Sequence, residues 1–500
     1  MSIFLKRLIF ATLILACVYS VLTTIARFAA VVPLTEAATY FSTNFEEEVL
    51  YPIWRFAHGG PIYTDSASVP FDQNWYNWIF FVIHGYFARF WFALGIADEW
   101  LPTISRLLSS SIILVLGFIA WHLVGGLNRF IRITASILSA AHPYYLFWPF
   151  YARPDFMALT FESAAAFFYI SFMSLQRRAY FYGALILSYC AWSAKHSFIQ
   201  AALAICLHLL VSRKIRLLII FAGGLSLLVA ATLVIGGEHY RQAILFSQLS
   251  STMGLQRSLV LLVRCVSRMP HIIMGLAMAT ALVGYAIKSR KVDEPDFFLA
   301  LLLGLSFGLV LVSGGKSGAD TNYYIPPAFY ACIFISRRVA ASLHSRPLAA
   351  ALFAVLMASP LAYAWSTWPG IYRTRSLWQE EAASVRELKS IIPAEKHPLY
   401  VISQYGSHYL NAGNLPWVNP STPHFVLSYS YPDERQQGRK FQNDGLGGMI
   451  SQGMIATIVS ASNKNYHAID GADLSHYQDR EVRGSWRIYR LDPDKHSLPR

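Results

Sequence analysis

The chain has few charged residues and few cysteines for its length. Of its 500 residues only 14% are charged, and the five cysteines form no Cys-x-x-Cys pair. So little charge excludes a typical soluble domain. The cysteine spacing excludes a zinc-finger motif and favours buried apolar thiols over a disulfide framework. No His-Glu-x-x-His spacing occurs either, so we predict no metal-binding residues, although a divalent ion held by acids from different loops stays open as a cofactor.

The chain is instead rich in hydrophobic and aromatic residues. Hydrophobic residues make up 55% of the chain and aromatic residues 15%, and the mean hydropathy is +0.39. Repeated apolar runs of nearly twenty residues predict a polytopic membrane protein. The formal net charge of +13 fits basic cytoplasmic loops better than a nucleic-acid surface, so we predict no nucleic-acid partner. Lys6 and Arg7 precede a long apolar run without a clear cleavage site, which predicts an uncleaved anchor.

The apolar runs predict a mainly α fold, a transmembrane helical bundle of about eleven spans. We place these spans near residues 8–32, 104–124, 133–150, 156–175, 179–194, 197–212, 217–236, 269–287, 297–313, 325–336 and 347–367. Basic clusters recur between alternate spans, at 6–7, 129–132, 177–178, 213–216, 288–291 and 337–346. Because cytoplasmic loops are rich in lysine and arginine, the N-terminus is predicted to be cytoplasmic and everything after about residue 368 extracytoplasmic. The predicted location is the inner (plasma) membrane.

One apolar segment, residues 76–97, conflicts with this scheme because it is long enough to span the membrane. Counting it as a crossing would invert every later loop and put the later basic clusters outside. The segment is also rich in aromatic residues such as Trp78, Tyr86 and Trp91, a composition suited to the membrane interface. We therefore predict a juxtamembrane or re-entrant helix with both ends outside.

The composition changes near residue 370, which predicts two domains. Residues 1–369 form the membrane domain, with a first outer loop at 33–103, and residues 370–500 form a small extracytoplasmic soluble α/β domain. In the second domain an amphipathic helix is predicted from Trp378 to Ile392. Short strands are predicted at Leu399–Ser403, His424–Tyr429, Ile455–Ala461 and Trp486–Leu491, separated by turn-forming residues.

Three adjacent acids, Glu46, Glu47 and Glu48, lie in the first outer loop. Adjacent carboxylates repel one another, so at least one is expected to have a raised pKa or a cationic partner. A carboxylate that faces a lipid-linked substrate at the membrane surface is a candidate general base. The alternative is a solvated helix N-terminus, where acids favour the helix dipole.

Helical geometry makes the three acids inequivalent. In a helix that starts near Asn44, Glu47 shares a face with Tyr51, Trp54 and His58. Glu46 and Glu48 then lie on different sides of that helix. All three acids therefore cannot face one substrate.

Two further polar clusters lie at the predicted outer ends of spans. Arg153 and Asp155 flank a proline. Arg153 is suited to bind a phosphate bidentately, whereas Asp155 either contributes to a site or caps the next helix. Lys195 and His196 occupy a tight outer turn, where a lysine either takes part in function or only snorkels to the interface.

A fourth cluster follows Gly314 and Gly315 and resembles a phosphate loop. Its Gly-Gly-Lys-Ser sequence lacks the Gly-x4-Gly-Lys-Ser spacing, and the loop is predicted to face outward, so an ATPase is rejected. The polar residues of this outer loop are instead candidates to contact a sugar or pyrophosphate. They are Lys316, Asp320, Asn322 and Tyr323.

These clusters resemble motifs of the GT-C superfamily of polytopic glycosyltransferases, related to glycosyltransferase family 39, which includes protein O-mannosyltransferases and lipid A aminoarabinose transferases. The resemblance covers roughly residues 1–370. It is carried by EEEVLY at 46–51, WRFAHGGPIY at 54–63, ARPD at 152–155, AKH at 194–196 and GADTNY at 318–323. The usual Asp-Glu pair of the family is here a run of glutamates, which leaves the matching carboxylate undecided.

The resemblance implies transfer of a sugar from a polyprenyl-phosphate donor to a hydroxyl of a lipid, glycan or protein acceptor at the outer face of the membrane. Glu46 is our first choice for the catalytic base and Glu48 the second, with Asp155 as a further catalytic residue. Arg153 and Lys195 are predicted to neutralise the departing lipid phosphate. The remaining predicted substrate-binding residues are Glu47, His58, His196, Lys316, Asp320, Asn322 and Tyr323.

Two other functions stay open from the sequence. A secondary transporter is disfavoured because the spans carry few ionisable residues at mid-membrane and no paired broken helices. A non-catalytic membrane scaffold, whose function resides in the outer C-terminal domain, is opposed only weakly, since residues 370–500 show no strong chemical motif.

Overall fold

The structure is a computed structural model. It describes residues 3–34, 46–126, 128–246, 254–289, 294–316, 319–342, 347–402, 404–405, 408–409, 411–428, 431–461, 468–469 and 471–492. Asn44, Ser317, Gly318 and Tyr429, which belong to predicted elements or motifs, lie outside these residues.

Helices form most of the first 360 residues, as the apolar runs predict. Their bounds are α1 Ile3–Val31, α2 Glu46–Ala57, α3 Trp78–Ala93, α4 Leu101–Val124, α5 Arg129–Ala140, α6 Pro154–Leu175, α7 Arg178–Ala194, α8 Gln200–Val211, α9 Ile215–Ile235, α10 Gly237–Arg241, α11 Leu255–Arg268, α12 His271–Ser289, α13 Pro295–Ser313, α14 Ile325–Ser342 and α15 Pro347–Ala358. Their buried apolar side chains form one large core.

Among the described residues, six helices are long and apolar enough to cross a membrane, namely α1, α4, α6, α9, α12 and α13. A bent pair of helices beginning in α15 adds a seventh. Several other predicted spans form shorter helices: α5 and α8 have 12 residues each, roughly 18 Å of helix against a hydrocarbon core of about 30 Å. The chain is a multi-pass helical membrane protein, and its described residues contain fewer full-length spans than the eleven predicted.

The predicted span 133–150 is wrong in its second half. Helix α5 ends at Ala140, and a short 3-10 turn follows at Pro143–Tyr145. Proline cannot continue the helical hydrogen bonding, and it restricts the residue before it as well. The irregular segment 141–153 therefore forms part of the loop structure at one end of the bundle.

Helix α3 corresponds to the aromatic segment 76–97 and has 16 residues. At about 1.5 Å per residue it is too short for a full crossing. It starts at Asn77, whose side chain accepts a hydrogen bond from the Trp78 N–H. Gly85 allows close packing on α2, since a Cβ there would lie 2.3 Å from a ring carbon of Phe56.

Each end of the bundle carries its own ion pairs. Loops with the predicted site residues meet at one end, where Lys195 after α7 contacts Asp155 at the start of α6. Several of the basic clusters lie at the other end, where Arg337 and Arg338 pair with Asp296 and Arg337 also donates to the Leu123 carbonyl. The compartment that each end faces stays a prediction.

The C-terminal region is a small α/β unit. Its helices are α16 Ala364–Ile391, α17 Tyr431–Gln436 and α18 Gly445–Ser451, and its strands are β1 Leu399–Ile402, β2 Gln404–Tyr405, β3 His408–Tyr409, β4 Thr457–Ala461, β5 Ala468–Ile469, β6 Ala472–Asp473, β7 Tyr477–Arg483 and β8 Trp486–Leu491. The main sheet has the order β1-β4-β8-β7, with β1 and β4 parallel and the other neighbours antiparallel. Strands predicted near 399, 455 and 486 are confirmed.

The strand predicted at His424–Tyr429 is wrong for the residues described. Residues 424–428 form no strand and join no sheet. The N–H groups of Val426 and Ser428 instead donate to the carbonyls of Pro70 and Phe71 in the loop between α2 and α3, the α2–α3 loop. The backbone of this apolar segment is thus hydrogen-bonded to residues some 350 positions earlier in the sequence.

The α2–α3 loop also belongs to the core of the C-terminal unit. Phe71 is fully buried there, with its ring 5.7 Å from that of Tyr431 and 5.9 Å from that of Phe441. Helix α16 joins both regions, because Trp378 packs in the core of the bundle and Leu388 packs on the sheet. The second of the two stretches of chain divided at residue 370 shares its core with the α2–α3 loop.

Candidate active site

Helix α2 begins with the acidic triplet, and all three acids are buried. Glu46, Glu47 and Glu48 are 0%, 3% and 7% exposed. The alternative of a solvated helix N-terminus is therefore wrong. Buried carboxylates require a cationic partner, hydrogen bonds or a bound proton.

Glu46 has a cationic partner. Its Oε1 lies 2.9 Å from Arg106 Nε and its Oε2 lies 2.6 Å from Arg106 Nη2. Oε1 also accepts a hydrogen bond of 3.0 Å from the Ala152 N–H. Arg106, in the first turns of α4, is itself buried and donates to the Val31 carbonyl at the end of α1. Both oxygens of Glu46 are thus engaged in a bidentate pair that joins four segments.

Glu47 differs from Glu46 in its surroundings. Its Oε2 is buried and accepts no hydrogen bond within the described part of the chain. Burial raises the pKa of Glu47 to about 7, and the nearby charges of Glu381 and Glu46 act in the same direction, whereas Arg153 opposes them. A carboxyl group with a pKa near neutrality can accept and release a proton at the pH of a cell.

A second buried ion pair lies at the same end of the bundle. Asp155 Oδ1 accepts hydrogen bonds from Lys195 Nζ at 2.7 Å and from Asn322 Nδ2 at 2.8 Å. The three residues come from the start of α6, the end of α7 and the turn before α14. Burial disfavours the ammonium group, but Asp155 beside it keeps the pKa of Lys195 above its ordinary value. Lys195 is therefore a fixed positive charge.

Arg153 supplies another cation beside this pair. Its Nη1 donates a hydrogen bond of 3.0 Å to the Tyr76 hydroxyl, and its guanidinium lies 5.0 Å from the Trp148 ring centroid. Lys195 Nζ lies 5.8 Å from the Tyr76 ring and 5.1 Å from the Tyr323 ring. Aromatic faces stabilise both cations. Tyr76 thus contacts both basic residues.

These groups form one site. The hydrogen bond from Ala152 to Glu46 ties the start of α2 to the segment that carries Arg153, and Glu47 and Arg153 lie within electrostatic range of each other. We call the following residues the polar site. They are Glu47, Tyr76, Arg153, Asp155, Lys195, Asn322 and Tyr323.

Other predicted residues lie at the edge of this site or outside it. His58 is largely exposed and contacts Asp98 at 3.2 Å and the Trp54 carbonyl, which belong to neither ion pair. The Asp320 carboxylate accepts from the Thr321 N–H and caps the short helix that carries Asn322. Burial and the charge of Lys195 lower the pKa of Lys316 to about 8.

Two further predicted residues, His196 and Glu48, are described by their burial and their position in the chain. His196 is half-buried in the turn after Lys195, and Glu48 is buried in the first turn of α2. Over the described residues, no three His, Cys, Asp or Glu side chains gather in a way that could hold a metal ion.

Sequence reasoning missed Arg106 and Tyr76. Arg106 carried a usable signal, because a charged residue inside an apolar run needs a partner. Tyr76 carried no signal beyond its place in an aromatic segment.

Fold and site together define a class: a multi-pass helical membrane protein with a buried ionic site where the loops at one end of the bundle converge. The sequence matches no protein-family model and no curated protein. The fold has known counterparts. The crystal structure of ArnT from Cupriavidus metallidurans bound to undecaprenyl phosphate is 12% identical, with a TM-score of 0.53 over 94% of this chain and 97% of that one.

A second counterpart is the oligosaccharyltransferase of Archaeoglobus fulgidus in the apo form. It is 12% identical, with a TM-score of 0.50 over 92% of this chain and 70% of that chain. Both proteins belong to the GT-C superfamily. The chain therefore has the GT-C fold, as the sequence motifs predicted.

Proposed function

We propose that the protein is an integral-membrane glycosyltransferase that moves a sugar from a polyprenyl-phosphate donor to a hydroxyl acceptor on the outer face of the cytoplasmic membrane. The main support is one observation: a buried carboxyl group with a pKa of about 7, Glu47, lies in electrostatic range of the buried cation Arg153. Such a transfer needs a base within electrostatic range of a cation that can bind phosphate. The undecaprenyl phosphate bound to ArnT adds support for the donor class.

In the proposed reaction Glu47 takes the proton of the acceptor hydroxyl. The acceptor oxygen attacks the anomeric carbon of the sugar, and the bond from that carbon to the phosphate oxygen breaks. The lipid phosphate leaves with the electron pair, and Arg153 and Lys195 stabilise the negative charge that develops on it. The proton on Glu47 is released after the product leaves.

Asp155 acts on Lys195 in this scheme and not on the substrate proton. The bond of 2.7 Å between them keeps the lysine charged and in place. Glu46 holds the start of α2 through Arg106, so Glu47 replaces Glu46 as our proposed base. Asp320 orders the turn that presents Asn322.

A transporter would need an unsatisfied ionisable group within the spans. Glu162 in α6 is buried, but its oxygens accept from the Ala201 N–H at 3.1 Å and the Tyr330 hydroxyl at 3.1 Å. Glu162 therefore serves as a cap for the start of α8, where the first N–H groups have no helical partner. With both carboxylate oxygens hydrogen-bonded, Glu162 is not a candidate transport site.

Binding of undecaprenyl phosphate to the purified chain tests the donor class. We expect Arg153→Met to weaken binding by about tenfold or more, because a hydrogen bond to a charged group contributes on the order of 1.5–3 kcal/mol. Arg375→Met is the matched control, since Arg375 is exposed in α16. Equal affinity of the wild type and Arg153→Met would contradict the proposal.

A further inference from the structure

Helix α11 connects the ends of two membrane spans, and the function proposed above leaves it unused. The Gly254 N–H, just before α11, donates a hydrogen bond of 2.9 Å to the Gly315 carbonyl, just after α13. At its other end, α12 begins three residues after α11 stops. Ser258 Oγ also donates a hydrogen bond of 2.6 Å to the Leu311 carbonyl in the last turn of α13. With both ends fixed at the ends of spans, α11 lies across the end of the bundle, at the level of the membrane boundary.

Only a narrow face of α11 is buried. It consists of Ser258, Leu261 and Cys265, whose spacing puts them on one side of the helix. This face packs on α13 and on the short 3-10 turn that carries Asn322. The remaining side chains of α11 are exposed or half-buried.

A stripe of apolar side chains on α11 is left uncovered by the described residues. Leu255, Leu259 and Val263 recur at every fourth position and so share one side of the helix. They are 78%, 51% and 67% exposed. A contiguous exposed apolar patch marks a contact with a protein or a membrane. Because both ends of α11 are attached to spans, the acyl chains of the surrounding lipid lie within its reach.

Arg257, Arg264 and Arg268 form a second stripe, roughly 160° around the helix from the apolar one at 100° per residue. All three side chains are exposed. Arg268 has its guanidinium 6.0 Å from the centroid of the Tyr144 ring. None of the three arginines forms an ion pair within the described part of the chain.

The local charge balance around α11 is positive. Residues 254–268 contain no Asp or Glu. Near this end of α13, Lys316 adds a fourth cation, and Asp320 lies within electrostatic range of Cys265 on the buried face. One acid against four cations leaves excess positive charge along the helix. A basic stripe beside an apolar stripe is typical of helices that lie in the membrane interface and attract anionic lipids.

We propose that α11 is an interfacial helix that gathers anionic phospholipids: its apolar stripe lies among the acyl chains, and Arg257, Arg264 and Arg268 bind the phosphates of the head groups. Zwitterionic phospholipids carry a phosphate as well, but their ammonium group cancels its charge. The excess of arginine therefore selects lipids of net negative charge. This inference is independent of sugar transfer, since the donor phosphate is proposed to bind Arg153 and Lys195 in the polar site.

A fluorophore attached to the variant Leu259→Cys reports which lipids lie next to α11. The full chain is reconstituted in phosphatidylcholine vesicles that contain a fixed fraction of brominated phosphatidylcholine or brominated phosphatidylglycerol, which quench the fluorophore on contact. We expect phosphatidylglycerol to be enriched about fivefold, equivalent to about 1 kcal/mol and to the effect of one arginine near an anionic surface. The enrichment should disappear at about 1 M salt, where the Debye length is about 3 Å.

Removal of two arginines tests the basic stripe. In the Leu259→Cys background, Arg257→Gln with Arg264→Gln should abolish most of the enrichment, while thermal unfolding and the affinity for undecaprenyl phosphate stay as before. The matched control is Lys396→Gln with Lys440→Gln, at two exposed lysines of the C-terminal unit. It removes the same charge and should keep the enrichment. Full enrichment in the double arginine variant would overturn the proposal.

A second labelling position tests whether the selectivity is local. Leu227→Cys, at an exposed leucine within the span α9, should be quenched equally by the two brominated lipids. Equal quenching by both lipids at Leu259→Cys would overturn the selection of anionic lipid. Protection of that fluorophore from both lipids would overturn the membrane contact itself, and is the result expected if a second copy of the chain covers the stripe.

Discussion

Glu46 and Glu47 are neighbours in the sequence and both are buried, but their carboxylates have different chemistry. Glu46 forms a bidentate pair with Arg106 and also accepts from the Ala152 N–H. Glu47 keeps one oxygen without a hydrogen-bond donor in the described residues. The Glu46–Arg106 ion pair holds the start of α2 in place. The Glu47 carboxyl group is the one proposed to accept a proton.

Loss of the Glu46 carboxylate is expected to destabilise the protein. Glu46→Gln leaves the Arg106 charge buried without its counter-ion, which typically costs about 3–5 kcal/mol. Thermal unfolding of the detergent-purified protein measures the effect. The double variant Glu46→Leu with Arg106→Met, which removes both charges, is expected to recover much of the lost stability. Wild-type stability of Glu46→Gln would contradict the assignment of Glu46 as a structural residue.

The sequence identified the acidic triplet and showed that its members are inequivalent, but it did not identify which one is held by a cation. The partners of Glu46 lie 60 and 106 positions away along the chain. Helical periodicity describes neighbours within a few residues only. Our first choice of base, Glu46, therefore came from the family motif, and its catalytic role stays a prediction that the observed ion pair does not favour.

Helix α16 shows how one element can serve two regions. The sequence predicted its amphipathic part from Trp378 to Ile392, and the structure extends the helix back to Ala364. Trp378 and Ala382 belong to the core of the bundle, whereas Val385, Leu388 and Ile391, further along the same helix, pack on the sheet. Because the apolar stripe is continuous, the pattern alone gave no sign that the two halves pack in different cores.

Because the α2–α3 loop contributes to the core of the C-terminal unit, a change in that loop is expected to weaken the unit. Phe71→Ala removes a fully buried ring, a change that usually costs about 3–5 kcal/mol. We expect faster proteolytic cleavage within residues 400–492, with a lower midpoint of thermal unfolding. Phe90→Ala, at a ring that is 56% exposed, should leave both unchanged. Resistance of Phe71→Ala equal to that of the wild type would show that the C-terminal unit folds without the loop.

At the scale of the whole molecule, the question is which loops lie at the same end of the bundle. The basic clusters in the sequence predicted which loops share a side. In the structure Asp155, Lys195 and Asn322, which come from three separate loops, meet at one end. The spacing of the apolar runs predicted where the loops lie, and the family motifs predicted which residues in them belong to the site. Helix packing sets the distances between these residues and forms the cavity that they line. No local sequence pattern describes that packing.

The orientation of the molecule in the membrane gives a further expectation. A cysteine introduced at the exposed Asp444 should react with an impermeant thiol reagent in intact cells, because the site end is predicted to face outward. A cysteine introduced at the exposed Lys288 should react only after lysis. The reverse pattern would contradict the predicted topology. The five native cysteines are buried or half-buried, and the unsubstituted chain measures their background.

The most direct test of the central claim, that Glu47 is the base of a sugar transfer, is the pH dependence of that transfer in membranes that contain the protein. Radiolabelled polyprenyl-phosphate sugars serve as donors and the membranes supply the acceptors. A folded pKa of about 7 means that the reactive carboxylate is scarce below that pH, so the rate should rise through pH 7 and level off above it. Glu47→Gln should lower the rate by about 10²–10⁴-fold at the plateau, whereas Glu380→Gln, at an exposed acid of α16, should not. Transfer by Glu47→Gln at the wild-type rate would contradict the account.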